Sequence, residues 1–234
     1  MTNGKSKVTK QTATVGVVDV IDCRLCPRLV EWRERVAREK RAAFEDQEYW
    51  GRPVPSLGDP DAPVLIVGLA PAAHGGNRTG RMFTGDRSGD FLFASLYRTG
   101  FANQPTSSHV GDGLELAGLR ITATVRCAPP QNRPTREEVA NCSRWLLPEL
   151  SRPGLRVVVA LGGLAFDQVL KHGPGLGWEV PRPKPRFGHG SELNLRGGPT
   201  LLASYHPSQQ NTFTGRLRAE MLDGVFERAR ALAA

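Results

Sequence analysis

Long apolar segments are missing from this chain of 234 residues. None of its apolar runs approaches the roughly 20 residues that a membrane-spanning helix needs. An apolar leader is missing as well, because the first residues, MTNGKSKVTKQTAT, are polar and rich in lysine. We therefore expect no signal peptide and a cytoplasmic protein with no membrane partner. Internal repeats and low-complexity tracts are also lacking.

Cysteine is scarce, with four residues in the whole chain. Cys23 and Cys26 form a C-x2-C pair, and Cys127 and Cys142 form a C-x14-C pair much later. Thiols stay reduced in the cytoplasm, which favours one metal site over two disulfides. One tight pair with two remote thiolates suits an iron–sulfur cluster better than zinc, which usually takes two tight pairs. The spacing leaves a zinc ion and unligated buried thiols open as alternatives.

Acidic residues are fewer than basic ones, 23 against 31, which gives a net charge of +8. Three of the lysines lie in residues 1–14, which we expect to form a disordered basic tail. Residues 15–234 have a length suited to a single domain. A positive balance suits a polyanion such as nucleic acid, although many basic proteins bind none.

Four unbroken apolar runs predict buried strands at residues 64–68, 119–125, 157–161 and 201–205. Helical patterns lie between them, and Thr135 with Glu138 forms a capping box that opens a helix to about Leu150. On that helix Cys142 should face inward. The alternation of strands and helices predicts a parallel sheet with helices on both faces. Residues 173–200, rich in Gly, Pro and Arg, are expected to form a loop or hairpin.

Three polar segments follow predicted strands at their carboxyl ends, where functional residues gather in such sheets. They are GLAPAAHGGNRTGRMFTGD at 68–86, CAPPQNRP at 127–134 and His-Pro-Ser at 206–208. Gly75 and Gly80 have the separation of a nucleotide-binding phosphate loop, but Arg81 and Met82 stand where Lys followed by Ser or Thr is required, which argues against a nucleotide triphosphatase. His206 would be held rigidly at a strand end, although a lone histidine is more often structural.

Taken in order, these elements resemble the uracil-DNA glycosylase superfamily and, within it, the iron–sulfur branch. The first loop with Phe-Thr-Gly-Asp resembles family 5, since Leu69 stands where family 4 has a carboxylate. The resemblance implies a three-layer α/β/α sandwich around a mainly parallel four-stranded sheet. It also implies cleavage of the N-glycosidic bond of deaminated bases in DNA, and a structural 4Fe-4S cluster held by Cys23, Cys26, Cys127 and Cys142.

Breaking a glycosidic bond leaves an anionic base and a cationic, oxocarbenium-like sugar. The enzyme must therefore stabilise the negative charge on the base, offset the positive charge on the sugar, and supply a water. The family resemblance assigns His206 to the base, as a neutral hydrogen-bond donor. Phe83 suits stacking of the flipped base, the alternative being an ordinary core phenylalanine. Further expected substrate contacts are Ala70, Ala72, His74, Asn77, Arg78 and Ser208. Phosphate contacts are expected from Arg81, Arg87 and Arg133, and filling of the vacated duplex position from Gln209, Gln210 and Asn211.

Two departures from the superfamily pattern affect the chemistry. The residues around Pro71 include no carboxylate or amide to position water, so we expect a substitute from Asp86, Asn77 or Asn132, in that order. For Asp86 a turn-capping role is equally compatible with the sequence. Ala123 stands where uracil-specific relatives have an asparagine that reads the base. Its loss predicts a range beyond uracil that includes hypoxanthine, and by extension xanthine or etheno-cytosine, in duplex DNA.

The predicted protein is therefore a monomeric, monofunctional glycosylase associated with nucleoid DNA. No lysine looks like an activated nucleophile, so an abasic site should remain without strand cleavage. Two alternatives stay open: a family 4-like enzyme restricted to uracil, and a non-catalytic DNA-binding protein that uses the metal as a clamp.

Overall fold

The computed structural model describes residues 20–234. The predicted tail at 1–14 and the first residues of the predicted domain lie outside this range. The strands are β1 (Leu57–Gly58), β2 (Val64–Gly68), β3 (Leu119–Ala123), β4 (Val157–Leu161), β5 (Glu192–Asn194) and β6 (Thr200–Ser204). They form one sheet in the order β1-β3-β2-β4-β6-β5.

The four central strands, β3, β2, β4 and β6, are parallel and correspond to the four predicted apolar runs. Every residue of β2 and β4 is buried, which explains their unbroken apolar sequence. The mainly parallel sheet is thus confirmed, but its size is corrected from four strands to six. The added strands β1 and β5 pair antiparallel at the edges and are short and partly exposed, so no apolar run marks them.

The principal helices are α1 (Pro27–Glu39), α2 (Gly76–Thr79), α3 (Arg87–Arg98), α4 (Arg136–Leu150), α5 (Gly163–His172), α6 (Gln209–Phe213) and α7 (Ala219–Ala233). The predicted capping box is present at the start of α4. The Glu138 amide donates to Thr135 Oγ1 at 3.2 Å, and the Thr135 amide donates to Glu138 Oε2 at 2.7 Å. The short helix α2 lies within the first predicted functional loop, and α6 begins directly after the third.

Helices cover both faces of the sheet. Val64 and Ile66 pack with side chains of α3 and α7, whereas Leu65 and Val67 pack with α4 and α5. A third cluster, around Leu29, joins α1 to α4 beside two cysteines. The three-layer α/β/α arrangement is confirmed. Segment 173–200 forms a short 3-10 helix and then the β5–β6 hairpin, as expected of a loop or hairpin. Within the described range, no helix combines the length and apolarity needed to cross a bilayer.

Candidate active site

A cleft of about 270 Å³ opens at the carboxyl edge of the sheet. All three predicted loops contribute to its wall. The lining residues are Leu69, Ala70, Pro71, Ala72, Met82, Phe83, Asp86, Ser88, Asn132, His206 and Ser208. None of them is cationic, and Asp86 is the single carboxylate among them. We call this site the base cleft.

Phe83 forms one wall of the base cleft and adopts a strained backbone conformation, with φ at +51°. Its ring lies so close to Gly68 that a Cβ there would come within 2.8 Å of Phe83 Cζ. A Cβ at Gly89 would overlap the Phe83 carbonyl oxygen. Two positions without side chains therefore fix the ring. It also borders the core, so the two alternatives for Phe83 are not exclusive.

His206 follows β6 and faces Phe83, with ring centroids 5.9 Å apart and an interplanar angle of 32°. Burial lowers the pKa of the imidazole to about 4, so the ring is neutral near pH 7. The next turn is fixed by Ser208, which caps α6, and by Asn211, whose amide donates to the His206 carbonyl at 2.8 Å. A neutral imidazole is thus held at the cleft, and one nitrogen of a neutral imidazole is a hydrogen-bond donor.

Asp86 and Asn132 are the two expected water-positioning residues that reach the base cleft. Asp86 is the N-cap of α3 and accepts from the Gly89 amide at 2.9 Å, so its capping role is real. Burial raises the pKa of its carboxyl, and the Gly89 amide opposes that shift. Asn132 has φ at +56°, and the preceding Gln131 is also left-handed, so this turn is strained.

Three residues expected to contact substrate lie elsewhere. His74 Nδ1 is 3.0 Å from the Tyr49 hydroxyl, and fully buried Asn77 donates to the Arg33 carbonyl at 3.2 Å. Arg78 donates to the carbonyls of His74 and Gly85 at 2.7 and 2.8 Å. Their side chains hold the first loop in place, which corrects the expected contacts of all three and removes Asn77 as a candidate for positioning water.

The arginines expected to contact phosphate fall into two groups, one buried and one exposed. Arg81 is buried in an ion pair with Asp112 at 2.6 Å, and its guanidinium holds the pKa of that carboxyl well below its usual range. Arg81 is therefore corrected to a structural residue. Arg87 and Arg133 are exposed. The Arg87 guanidinium lies over the Phe213 ring, 5.2 Å from its centroid. Gln209 and Gln210 are exposed as well, whereas the Asn211 amide is already used.

The four cysteines line one small cavity, which we call the cysteine corner. Cys26 caps α1, Cys127 follows β3, and Cys142 faces inward from α4 as predicted. In residues 20–234, no three His, Cys, Asp or Glu side chains form a group suited to a single metal ion. The thiols thus surround a cavity rather than one coordination point.

Hydrogen-bond donors point at three of the sulfur atoms. Arg33 Nη1 lies 2.9 Å from Cys127 Sγ, the Arg126 amide lies 3.2 Å from Cys142 Sγ, and Asn141 Nδ2 lies 3.7 Å from Cys26 Sγ. Burial raises the thiol pKa of Cys127 to about 11 and of Cys142 to about 12. With these pKa values, free thiols would keep their protons at neutral pH, whereas binding to a metal group would deprotonate them. Hydrogen-bond donors directed at sulfur suit such metal-bound thiolates.

Arg33, which is 1% exposed, was not predicted as a functional residue. Its sequence position carried a signal, because Leu29, Arg33 and Val36 follow one another at i, i+4 and i+7 on the buried face of α1. Met82 and Ser88 were not predicted either, because they line the base cleft but belong to no distinctive motif.

Comparison with known proteins agrees with this geometry. Residues 55–230 match the Uracil DNA glycosylase superfamily. Type-5 uracil-DNA glycosylases from Mycobacterium leprae and Thermus thermophilus are 53% and 52% identical to this chain. The first alignment spans all of this chain and 99% of the relative, and the second spans 90% and 94%. A type-4 enzyme from Thermotoga maritima is 30% identical over 64% of this chain and 67% of its own length.

The match to type-5 relatives across the whole chain confirms the resemblance to family 5. The base cleft and the fold agree with it, and the chain therefore belongs to the uracil-DNA glycosylase superfamily and is a DNA glycosylase.

Proposed function

We propose that this enzyme removes uracil and hypoxanthine from duplex DNA by hydrolysing the N-glycosidic bond, and that it leaves an abasic site. One observation carries the proposal: a neutral His206 faces the Phe83 ring across a cleft without cationic side chains. The type-5 relatives named as uracil-DNA glycosylases support the uracil activity.

The base must leave the duplex to reach these residues. A flipped base fits between the Phe83 wall and the His206 wall, where an aromatic face stacks against it. As the glycosidic bond breaks, negative charge grows on the base oxygen. His206 donates a hydrogen bond to that oxygen and keeps its proton, because burial holds the ring neutral with a pKa of about 4. One donor of this kind contributes about 10²–10³ in rate.

Water reaches the sugar from the side of Asp86. One carboxylate oxygen caps α3, which fixes the group, and the residue still lines the base cleft. We assign Asp86 to orient the attacking water and to offset the positive sugar. Asn132, on the adjoining strained turn, assists as a hydrogen-bond partner. The missing carboxylate beside Pro71 is thereby replaced from a different part of the loop.

The substrate range follows from what the cleft lacks. Its wall near the first loop is Leu69, Ala70 and Ala72, none of which has a polar side chain to read a base edge. Ala123 is buried at the end of β3 and does not line the cleft. A base is then selected mainly by shape and by the His206 contact, so hypoxanthine, xanthine and etheno-cytosine become acceptable.

The DNA strand is expected to run along the rim formed by Arg87 and Phe213. Arg87 begins α3 next to Asp86, and Phe213 ends α6, which begins after Ser208. Their contact joins the start of α3, which follows the cleft residue Asp86, to α6, which follows the cleft residue Ser208. Phe213 is 66% exposed, and an exposed ring next to a cation suits packing against a base or sugar beside a phosphate. Gln209 and Gln210 lie on the same helix, where they can fill the vacated duplex position.

The cysteine corner fits a 4Fe-4S cluster, which we assign to Cys23, Cys26, Cys127 and Cys142. When bound, it would serve as a cross-link between α1, the segment after β3, and α4. The donors to three sulfurs support thiolate ligands. A zinc ion is the second candidate for the same thiols.

Alkali-revealed cleavage of labelled duplexes tests the proposal. One duplex carries uracil opposite guanine and the other carries hypoxanthine opposite thymine, and His206→Ala is compared with the exposed-histidine variant His109→Ala. Cleavage of both duplexes, lost only in His206→Ala, supports the proposal. Cleavage of uracil alone would indicate a strict uracil enzyme, and binding without cleavage would indicate a DNA-binding protein. A Schiff base trapped with borohydride would overturn the monofunctional assignment.

A further inference from the structure

Arg33 is a buried cation without a carboxylate partner among residues 20–234. Its side chain is 1% exposed. Nη1 donates to Cys127 Sγ at 2.9 Å and Nη2 donates to the Cys23 carbonyl at 3.2 Å, while Nε has no partner. A buried charge is costly unless an opposite charge compensates it.

Other enclosed arginines of this protein follow that rule. Arg81 pairs with Asp112 at 2.6 Å, and Arg126 lies 3.4 Å from Glu149. Arg78 has no carboxylate, but it borders an open pocket where water reaches it. Arg33 differs because, among the groups that its guanidinium contacts, the one that can become anionic is the sulfur of Cys127.

We propose that Arg33 is the internal counter-charge of the cysteine corner: it stabilises the thiolates of a metal centre there, retains that centre in the protein and raises its reduction potential. The identity of the centre as a 4Fe-4S cluster rests on the proposed function. The charge argument rests on Arg33 and its contacts with Cys127 and Cys23.

The other donors to sulfur cannot replace this role. The Arg126 group that meets Cys142 is a backbone amide, and Asn141 presents a neutral side-chain amide to Cys26. The Asn141 amide brings no net charge, and the Arg126 guanidinium, although its charge acts on Cys142, is already paired with Glu149 at 3.4 Å. A fixed cation also favours the addition of an electron to a thiolate-ligated cluster, because hydrogen bonding and local charge set cluster potentials. Removing the cation should therefore make the cluster harder to reduce.

The test compares Arg33→Met, which removes the charge, with Arg33→Lys, which keeps it but loses the forked contact. Arg38→Met is the matched control, because Arg38 is exposed on the same helix. The measurements are iron per chain, absorbance near 400 nm, release of metal to a chelator, and the reduction potential. Arg33→Met should release metal about tenfold faster or more, as outer-shell substitutions do. Its potential should fall, whereas Arg33→Lys should keep a potential near that of wild type.

Equal release and equal potential in Arg33→Met and Arg38→Met would overturn the inference. If Arg33→Met does not fold, the neutral but hydrogen-bonding variants Arg33→Gln and Arg38→Gln decide: several-fold faster release and a lower potential in the first support the role, and equal release and potential overturn it. Zinc in the wild type would refute the cluster while the release comparison still tests Arg33. A wild type that binds neither metal would overturn both.

Discussion

The cysteine corner and the base cleft differ in the groups that can stabilise negative charge. In the corner a fixed guanidinium and neutral donors point at sulfur in the folded protein, so compensation is present before any ligand arrives. In the cleft no cation lines the wall, and the facing group is a histidine whose burial keeps it neutral. The corner thus suits anionic sulfur held throughout, whereas the proposed role of His206 in the cleft is to meet charge that develops only while a base departs.

We therefore expect the two sites to affect different properties: the corner should affect the stability of the fold, and the cleft should affect the rate of the reaction. Damage to the corner should loosen α1, the segment after β3, and α4, which the corner brings together. Damage to the cleft should leave those elements in place and slow the reaction. The predictions below test this separation, beginning with the largest effect.

Cys142→Ser should lose the proposed metal centre and, with it, much of the stability of the fold. Structural metal sites of small zinc domains contribute an apparent free energy of about 10 kcal/mol, and the loss here should be a substantial part of that. Thermal unfolding and iron content measure it, with the adjacent Ser143→Ala as the control. Equal melting temperatures for the two variants would show that the corner does not support the fold.

His206→Ala should reduce the single-turnover rate of uracil release by about 10³, the loss expected for one donor to a developing anion. Iron content and melting temperature should match those of His109→Ala. Burial lowers the pKa of the imidazole to about 4, below its ordinary 6.5, so the ring is neutral at every pH above about 5. The wild-type rate should show no step near 6.5, and a step that vanishes in His206→Ala would refute a neutral donor.

Asp86→Asn should slow the reaction by about 10², within the range for a group that directs proton transfer. Asparagine is as good an N-cap as aspartate, so stability should change little, whereas Asp86→Ala should cost about 1 kcal/mol more. Burial raises the pKa of Asp86, so the wild-type rate should fall as pH drops through that raised value. Asp86→Asn should lack this fall. An acid limb that persists in the variant would assign it to another group.

Phe83→Leu should weaken binding of the extruded base by about tenfold, since base stacking contributes about 1–3 kcal/mol. The loss should be similar for uracil and hypoxanthine, because the ring face does not distinguish them. Rates at varied DNA concentration measure it, and Phe91→Leu makes the same change on α3 at a position that does not line the cleft. A loss confined to one base would mean that Phe83 contributes to selectivity.

Phe213→Ala should have the smallest effect, a few-fold loss of duplex affinity. Val110→Ala is a suitable control because both side chains are 66% exposed. Arg87→Ala should lower the slope of log affinity against log salt by about 1, as expected for one lost phosphate contact. Unchanged affinity and slope would place the DNA strand away from this rim.

The central strands were predictable because burial on both faces leaves an unbroken apolar run, as in Val64–Gly68. The edge strands were not, because Leu57–Gly58 and Glu192–Asn194 owe their conformation to pairing with a neighbour rather than to their own composition. The capping box at Thr135 was predictable because it depends on residues only three apart.

In the candidate site, too, some features were predictable from the sequence and others were not. Position at a strand end predicted that His206, Phe83 and Asp86 would converge, and they line one cleft. Their catalytic roles stay predictions. Arginines in the first loop were predicted to contact phosphate because they lie near the predicted site. The sequence does not show in which direction their side chains point once the loop has folded. Arg81 instead meets Asp112, 31 residues later in the chain. Such long-range pairs have no local signature.

The two glycines that hold Phe83 have a consequence for how this enzyme could diversify. Gly68 lies under the ring and Gly89 lies against its carbonyl, on a strand and a helix that belong to the core. A side chain at Gly68 would require the ring to shift, and one at Gly89 would require the Phe83 backbone to shift, so the three positions depend on one another. Substitution of either glycine should therefore alter this wall, even though neither residue lines the cleft. New base preferences are more accessible through single substitutions at Leu69, Ala70 or Ala72.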